Sequence, residues 1–343
     1  MSESYTPQKV IAIVGPTATG KTALAYHLAK LLPIELITAD SRQVYKHMTI
    51  GTGKDLPSDA IFHKDPDPHY ELPTQQTKMW MMDLLDPDES WSVAQFAVQA
   101  REVIHSIWER QHIPVIVGGT GFYLQQLINP ANRVFIPPNQ ELREALVNQS
   151  VSELQEVLAS LDGDALLAMN NSDKQNPTRL VRAIEIAEAK EQQELQHATP
   201  KSDPNPNPDP NSTAQHSTQQ LEPLQHITFG LHVPLETLKL RIEHRVHLRI
   251  EQGMISEVER LMKLYPDWRY PSFTSTGYRE VRDYLYEKTS FEEMSHLWAT
   301  REFHYAKRQL TWFKKQNEIR WADPLQTPIE ELAKQLADWY HQS

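Results

Sequence analysis

The residue types best suited to chemistry lie together near the N-terminus. The segment Gly15-Pro16-Thr17-Ala18-Thr19-Gly20-Lys21-Thr22 is a complete phosphate-binding loop of the form G-x-x-x-x-G-K-[ST]. In such a loop, glycines let backbone N–H groups curl around phosphate oxygens, and the following helix N-terminus adds partial positive charge. Lys21 is predicted to reach the terminal phosphates and Thr22 to ligate Mg²⁺. The segment predicts a site for a diphosphate or triphosphate, and does not say which.

Asp40 is a second candidate, because it follows the apolar segment Ile34 to Thr38 almost directly. Open α/β sheets bind ligands at the carboxyl ends of their strands, so this carboxylate could act as a general base beside the phosphate site. Its position is equally consistent with the cap of a turn or helix. No acid closes the later apolar run Ile113 to Val117, where a motor ATPase would need one to hold Mg²⁺.

The elements that must position these residues follow from the apolar pattern. Val10 to Val14, Ile34 to Thr38 and Ile113 to Val117 are short apolar runs typical of strands buried on both faces. A helix is predicted from Lys21 to Leu32, and another after Ser92, which opens a capping-box pattern with Gln95. Strands that alternate with helices predict a parallel sheet.

The rest of the chain predicts an interruption of this core. Residues 131–195 carry helix-forming residues and almost no strand pattern, whereas residues 196–224 are rich in Pro and Asn and predict a disordered linker. A strand at Ile227 to Val233 and helices at about 235–251, 254–264 and 290–316 follow. The predicted fold class is therefore α/β, a P-loop NTPase-like core (8–130 and 225–343) with a parallel sheet and a small all-helical insertion.

Composition excludes several classes of protein. The chain has 343 residues, a net charge of −11 and no cysteine, which excludes a disulfide framework, a Cys-ligated metal and a thiol nucleophile. It has no apolar run of about 18 residues, and its polar N-terminus does not resemble a secretory signal. We therefore expect a cytoplasmic protein without a membrane partner, whose negative net charge still permits a local basic face.

Several further segments follow the phosphate loop in a characteristic order. They include Asp40-Ser41-Arg42-Gln43, Gly51-Thr52-Gly53-Lys54, Gly118-Gly119-Thr120-Gly121, Gly277-Tyr278-Arg279 and Tyr305 to Phe313. Together they closely resemble the tRNA isopentenyl transferase family, over nearly the whole chain apart from the Pro/Asn-rich linker.

The resemblance implies prenyl transfer. The family moves a dimethylallyl group from dimethylallyl diphosphate to N6 of adenosine 37, beside the anticodon, in tRNAs that read codons beginning with U. By this resemblance the phosphate loop holds the diphosphate with Mg²⁺, and Asp40 is the general base. Thr120 matches a position that contacts the reacting adenine or its backbone, and Arg245 matches an arginine near the diphosphate. An exposed basic helix face is the alternative for Arg245.

The resemblance also implies tRNA contacts, made by a monomer that engages the anticodon loop. The matching positions are Asp40, Ser41, Arg42, Gln43, Thr120, Arg143, Thr178, Arg179, Leu180, Val181, Arg182, Gly277, Tyr278, Arg279, Lys307 and Arg308. From Arg301 to Arg320, six Lys or Arg stand against two Glu, so this stretch is basic within an acidic chain. We expect Lys307 and Arg308 to contact RNA, and Trp312 and Phe313 to lie in the core.

The chain departs from the family pattern in places. The family's Gly-Thr-Ala-Lys-Pro is replaced by Gly51-Thr52-Gly53-Lys54-Asp55, and a glycine and an acid are predicted to loosen this loop. Arg42 stands where methionine is commonest, which favours RNA binding.

Three alternative functions share some of these features. A small-molecule P-loop kinase has the same strand, loop and helix. An adenylate isopentenyltransferase, which prenylates free AMP, has the same loop and base without a helical insertion or basic C-terminal helix. An RNA-binding protein with a relic nucleotide loop is the third, although Lys21, Thr22 and Asp40 are intact.

Overall fold

In the computed structural model the chain divides into two compact units. Met1–Pro130 with Glu222–Ser343 form one, here called the core unit, and Ala131–Leu221 form the other, the helical unit. Residues 8–198 and 221–342 are described. Residues 199–220, most of the predicted linker, lie outside them, and the helix that precedes them runs three residues past the predicted start of the linker, to Ala198.

The core unit is built on one eight-stranded sheet with the order β3-β4-β5-β2-β6-β1-β7-β8. Its strands are β1 Val10–Val14, β2 Ile34–Thr38, β3 Ile61–His63, β4 His69–Leu72, β5 Thr77–Trp80, β6 Ile113–Gly118, β7 His226–Leu231 and β8 Ile319–Ala322. All neighbouring pairs are parallel except β3 with β4 and β4 with β5. The predicted α/β class with a mostly parallel sheet is confirmed.

Twelve helices accompany the sheet in the described residues. They are α1 Lys21–Ala29, α2 Val93–Glu109, α3 Gly121–Ile128, α4 Gln140–Leu146, α5 Val151–Ala168, α6 Asn171–Lys174, α7 Pro177–Ala198, α8 Leu235–Glu251, α9 Met254–Leu264, α10 Tyr278–Leu285, α11 Phe291–Phe313 and α12 Ile329–Gln342. The capping box predicted at Ser92 is present, with the Ser92 side chain accepting from the Gln95 N–H at 3.2 Å.

The sheet has a separate core on each face because side chains alternate along a strand. Ile11 and Ile13 of β1 pack on one face with α1 and α12, whereas Val10, Ala12 and Val14 pack on the other with α2, α3 and the end of α11. The central strands are therefore buried on both faces. This arrangement brings the carboxyl ends of β1, β2, β6 and β7 to one edge, where the loops that follow them meet.

The helical unit has its own small core. Leu154 and Leu158 of α5 pack against Leu180 and Ile184 of α7, and all four are fully or almost fully buried. These positions recur at helical spacing, so one apolar stripe on each helix forms the contact. None of the helices in the described part of the chain is long and apolar enough to cross a membrane.

Candidate active site

The phosphate loop connects β1 to α1 and is held closely against the sheet. Gly15 adopts a φ of 140°, and a Cβ there would lie 2.3 Å from the carbonyl oxygen of Leu231 in β7, so only glycine fits. The Pro16 carbonyl accepts hydrogen bonds from Lys21 Nζ at 2.7 Å and from Thr19 Oγ1 at 2.9 Å. The loop is thus closed on itself, with Lys21 and Thr22 in the first turn of α1.

Lys21 lies among charges that oppose each other. Burial, followed by the positive charge of Arg245, lowers the pKa of its ammonium to about 7, while Asp40 and Asp55 act in the opposite direction. A phosphate ligand would add negative charge beside this nitrogen and favour its protonated form. Binding of an anion in this cavity and protonation of Lys21 would therefore favour each other.

Helix α8 supplies arginines to the same site. Arg245 donates from Nη1 to Thr17 Oγ1 at 2.7 Å and from Nη2 to Asp55 Oδ2 at 2.6 Å. One turn earlier, Arg241 donates to the Ala18 carbonyl at 3.4 Å, and one turn later, Arg249 is buried against Glu302 of α11. Spacing of four residues puts all three on one helix face. Arg245 therefore belongs to the phosphate site and is not an exposed surface charge.

Asp40 lies at the end of β2, beside the turn that ends β6. The Ala39 N–H donates to the Val117 carbonyl at 2.8 Å, which brings Asp40 and the Gly118–Thr120 segment to the same edge. Asp40 Oδ1 accepts from the Arg42 N–H at 2.8 Å, so Asp40 does cap a turn. Its negative charge partly offsets the lowering of the Lys21 pKa, and it helps to raise the pKa of Tyr305. The roles of turn cap and general base are compatible for Asp40, because the turn uses only Oδ1 and the Asp40 side chain still lines the cavity.

Helix α11 contributes two residues that our residue-by-residue analysis did not single out. Gln309, buried, accepts from the Thr17 N–H at 3.0 Å. Tyr305 lies one turn earlier, and burial followed by the charge of Asp40 raises the pKa of its phenol. Gln309 also packs on the turn that carries Thr120, because a Cβ at Gly119 would lie 2.3 Å from Gln309 Nε2. Both residues fall in the segment Tyr305 to Phe313 that resembles the family, where the positive charges of Lys307 and Arg308 indicated RNA binding more clearly than either residue indicated a role in the active site. α11 thus connects the phosphate loop to the Thr120 turn.

These residues surround a cavity of about 810 Å³. Its walls include Thr17, Ala18, Gly20, Lys21, Thr22, Asp40, Ser41, Arg42, Gln43, Arg245, Tyr305, Arg308 and Gln309. The volume is in the range of sites for cofactors and other small molecules. The cavity therefore brings the phosphate loop, several cationic side chains and the Asp40 carboxylate to one partly open space.

A second, more open depression of about 430 Å³ lies along α11. It is lined by His304, Lys307, Arg308, Thr311, Trp312 and Lys315, and is called the basic groove below. Lys307 and Arg308 are exposed, and Arg308 lines the large cavity as well. Phe313 is fully buried and Trp312 is partly buried, so the core position predicted for Phe313 is confirmed, while Trp312 also reaches the groove.

Comparison with known proteins identifies the family. The family model described as IPP transferase matches residues 43–316, and a model described as isopentenyl transferase matches residues 8–62. A tRNA dimethylallyltransferase of Moorella thermoacetica is 35% identical, over 99% of this chain and 97% of its own length. One of Carboxydothermus hydrogenoformans is 33% identical, over 96% of each chain.

The chain belongs to the IPP transferase family. The tRNA isopentenylpyrophosphate transferase of Bacillus halodurans has a similar structure, with a TM-score of 0.65 and 29% identity over 98% of this chain and 97% of that one. A eukaryotic dimethylallyltransferase crystallised acting on tRNA shares the fold, with a TM-score of 0.70 and 23% identity over 92% and 73% of the two chains. The predicted family and enzyme class, a prenyl transferase, are confirmed.

In this IPP transferase, two residues predicted to contact tRNA have buried side chains. Leu180 is fully buried in the core of the helical unit, and Tyr278 is fully buried in the core unit. The Tyr278 hydroxyl donates to Glu257 Oε1 at 2.8 Å, and the same carboxylate accepts from the backbone N–H groups of residues 49–51 at 2.9–3.1 Å. Because neither side chain reaches solvent, we correct both predictions: Leu180 and Tyr278 are structural residues.

Other predicted tRNA contacts already have protein partners. Arg143 and Arg182 both pair with the buried carboxylate of Glu185, at 2.6 and 2.9 Å. Arg179, exposed, pairs with Asp173. Thr178 and Arg279 are exposed, Val181 is partly buried, and Gly277 is buried against Trp298.

Two residues of the Asp40–Gln43 segment also make contacts within the core unit. Arg42 donates to the Pro271 carbonyl at 2.5 Å and to Thr274 Oγ1 at 2.7 Å. Gln43 accepts from Thr38 Oγ1 at 2.6 Å and donates to the Gly53 carbonyl at 2.9 Å. Both side chains therefore help to shape the cavity wall, whatever they contact when RNA is bound.

The Gly51–Asp55 loop is more firmly held than the sequence predicts. Gln43 and Glu257 hold its backbone, Lys54 is buried in an ion pair with Asp83, and Asp55 pairs with Arg245. The prediction that its glycine and acid loosen the loop is wrong, because the acid forms an ion pair across the cavity.

Proposed function

We propose that this chain is a cytoplasmic, monomeric enzyme that transfers a dimethylallyl group from dimethylallyl diphosphate to N6 of adenosine 37 in tRNAs that read codons beginning with U. The observation that carries the proposal is that two sites adjoin. Arg308 lines both the cavity with the phosphate loop and the basic groove, so an RNA bound in the groove would lie beside the cavity that a flipped-out nucleotide must enter.

The reaction forms one bond and breaks another at the same carbon. The N6 nitrogen of adenine attacks C1 of the dimethylallyl group, the C1–O bond to the diphosphate breaks, and diphosphate leaves with the electron pair. N6 then loses a proton, for which Asp40 is the proposed acceptor. An aromatic amine is a weak nucleophile, and such base assistance typically contributes about 10²–10⁴ in rate.

The donor's diphosphate would occupy the phosphate loop. Backbone N–H groups of residues 18–20, the N-terminus of α1, Lys21 and Arg245 would stabilise the negative charge that grows on the leaving group. Lys21 lines the cavity, and an anion beside its nitrogen would offset the burial and the Arg245 charge that lower its pKa.

A divalent ion fits this site only together with the diphosphate. Thr22 lines the cavity, and among residues 8–198 and 221–342 no group of three or more His, Cys, Asp or Glu could hold a metal. Mg²⁺ prefers oxygen ligands and commonly binds with few protein groups plus substrate phosphates. Thr22 would hold Mg²⁺ with diphosphate oxygens, and the ion would neutralise charge on the leaving group.

The acceptor adenine would have to leave the stack of the anticodon loop to reach this cavity. Loops allow this at lower cost than duplexes. Tyr305 and Gln309 line the cavity together with Asp40, and we assign them to the adenine. Thr120 follows the cavity-lining Gly118 and Gly119, and its buried hydroxyl has no hydrogen-bond partner in the described residues, so we assign it to the adenine as well. Lys307 and Arg308 in the basic groove would bind the RNA backbone, and exposed Thr178 and Arg179 suggest that the helical unit also contributes.

Free AMP is the second acceptor to consider, because the 8–62 match is to a model described as isopentenyl transferase. An enzyme that acts on a single nucleotide would not need the basic groove or the helical unit. A tRNA acceptor explains why both are present, so we favour tRNA.

The direct test is product analysis. Unmodified tRNA reading a UNN codon is incubated with the enzyme, Mg²⁺ and dimethylallyl diphosphate, then digested and sequenced by mass spectrometry. We expect a mass gain of one dimethylallyl group at position 37 only, and none in the same tRNA with guanosine 37. Modification at other adenosines, or none, would contradict the proposal.

A further inference from the structure

The arginine nearest the phosphate loop already has an anionic partner within the protein. Arg245 Nη2 lies 2.6 Å from Asp55 Oδ2, and its Nη1 lies 2.7 Å from Thr17 Oγ1 in the phosphate loop. Both terminal nitrogens of the Arg245 guanidinium are therefore engaged, one by a hydroxyl and the other by a carboxylate.

The backbone of the loop is shaped to bring Asp55 to this position. Gly53 has a φ of +63°, and a Cβ there would lie 2.4 Å from Arg245 Nη2 and 2.1 Å from Arg249 Nη2. The missing side chain thus leaves room for the very nitrogen that Asp55 binds. Asp55 itself adopts a φ of 26°, which is costly for a residue with a side chain and persists only where the surroundings impose it.

The ion pair is asymmetric in its exposure. The Asp55 side chain is 57% exposed, whereas that of Arg245 is 23% exposed. A mostly solvated carboxylate loses little when it returns to water, because exposed ion pairs contribute only about 0–1 kcal/mol. Arg245 can therefore exchange Asp55 for a better anion without leaving Thr17.

We propose that Asp55 is a built-in counter-ion, which occupies Arg245 in the empty site, is exchanged for the donor's diphosphate on binding, and returns to Arg245 when diphosphate leaves. This rests on the proposed function for the identity of the anion. Asp55 lowers the affinity of the site for diphosphate, and so limits inhibition by the product.

The expected effect is a gain of affinity when the charge is removed. Asp55→Asn keeps the size of the side chain and removes both the competing carboxylate and its repulsion of a multiply charged ligand. Affinity for inorganic diphosphate should rise about tenfold, because one unit charge a few ångströms away changes binding by that order even in high dielectric. Asp338→Asn, at an exposed position of α12 outside the cavity, makes the same charge change and should leave the affinity unchanged.

Isothermal titration calorimetry with inorganic diphosphate and MgCl₂ measures this on the full chain, without the prenyl-transfer reaction. Tighter binding by Asp55→Asn, with the Asp338→Asn control unchanged, supports the counter-ion. Equal or weaker binding overturns it, and weaker binding would make Asp55 a residue that only orients Arg245. If the unaltered enzyme does not bind diphosphate, the proposed donor site itself fails and the inference fails with it.

A steady-state assay gives an independent readout. Inhibition of prenyl transfer to tRNA by added diphosphate should become about tenfold stronger in Asp55→Asn, with a lower KM for dimethylallyl diphosphate. If inhibition is unchanged although both proteins transfer prenyl groups, the counter-ion role is contradicted while the proposed function stands.

Discussion

Replacing Tyr278 by phenylalanine tests whether this residue supports the active-site loop from within. The phenol is fully buried and donates to Glu257 at 2.8 Å, and Glu257 is itself buried. Burial and the charge of Glu257 raise the pKa of Tyr278 well above its ordinary value, so the hydroxyl remains a donor at any physiological pH. Tyr278→Phe removes this donor without creating a cavity the size of a side chain.

The cost follows from what Glu257 loses. Its carboxylate keeps three backbone N–H donors from residues 49–51 but loses its only described side-chain donor. A hydrogen bond to a charged group contributes about 1.5–3 kcal/mol, so the free energy of unfolding should fall by about that amount. In a domain of this size, 1 kcal/mol corresponds to roughly 2–4 °C, so Tm should fall by about 3–12 °C.

Thermal unfolding followed by circular dichroism, and binding of a labelled anticodon stem-loop at 20 °C, make the test. Tyr286→Phe is the matched control, because Tyr286 follows the same helix and is 55% exposed; its Tm should change by under about 1 °C. RNA affinity should change little in either variant. An unchanged Tm in Tyr278→Phe together with a large loss of RNA affinity would refute the placement of Tyr278 in the core.

Three further perturbations address the site directly. Asp40→Asn should lower kcat at least about 10²-fold while tRNA Kd is kept, since it removes the proposed base; unchanged turnover would exclude that role. Lys307→Ala with Arg308→Ala should reduce the slope of log Kd for tRNA against log salt by roughly 1.5–2, as expected for two phosphate contacts; an identical slope would show that neither residue contacts a phosphate. Because the pKa of Lys21 is about 7 in the empty site, diphosphate binding at pH 8 should take up a proton at Lys21, so calorimetric enthalpies should depend on the buffer's ionisation enthalpy. In Lys21→Arg, whose guanidinium stays protonated, that part of the buffer dependence should disappear; if it persists unchanged, Lys21 is not the group that titrates.

The same depressed pKa bears on folding. The ordinary pKa of lysine is 10.5 and the folded value is about 7, so the unfolded chain binds more protons between these values. The contribution of Lys21 to stability therefore becomes more favourable as pH rises from about 7 to 10.5. Bound diphosphate would stabilise the charged ammonium and so oppose this effect. At neutral pH, burial of Lys21 therefore destabilises the empty enzyme, whereas the same lysine would stabilise the enzyme with diphosphate bound.

The central sheet could be read from the sequence because its strands are buried on both faces. Val10–Val14 and Ile34–Thr38 were predicted with the observed bounds. The antiparallel edge of β3, β4 and β5 was not, since each of these strands spans only three or four residues and the outer strand exposes Ile61 and Phe62. Strand β8 and helix α12 were not predicted either.

The candidate site could be predicted only where its signal is local. The phosphate loop is recognisable within eight consecutive residues, and Asp40 is recognisable from its position after a buried strand. The pairing of Asp55 with Arg245 joins positions 190 residues apart, and Gln309 reaches Thr17 across 292. No local pattern encodes such contacts, and the burial of Tyr278 against Glu257 is of the same kind. Motif order located these residues, but only the packing assigns them their roles.

A competition between acceptors tests the central claim most directly. The enzyme is incubated with labelled dimethylallyl diphosphate, Mg²⁺ and equimolar unmodified tRNA and AMP, while a parallel reaction contains labelled ATP and candidate small molecules. We predict label in tRNA, at one adenosine, and none in AMP. Label in AMP alone would assign the chain to cytokinin-type synthesis and leave the basic groove without a function. Phosphate transfer from ATP without prenyl transfer would contradict the account as a whole.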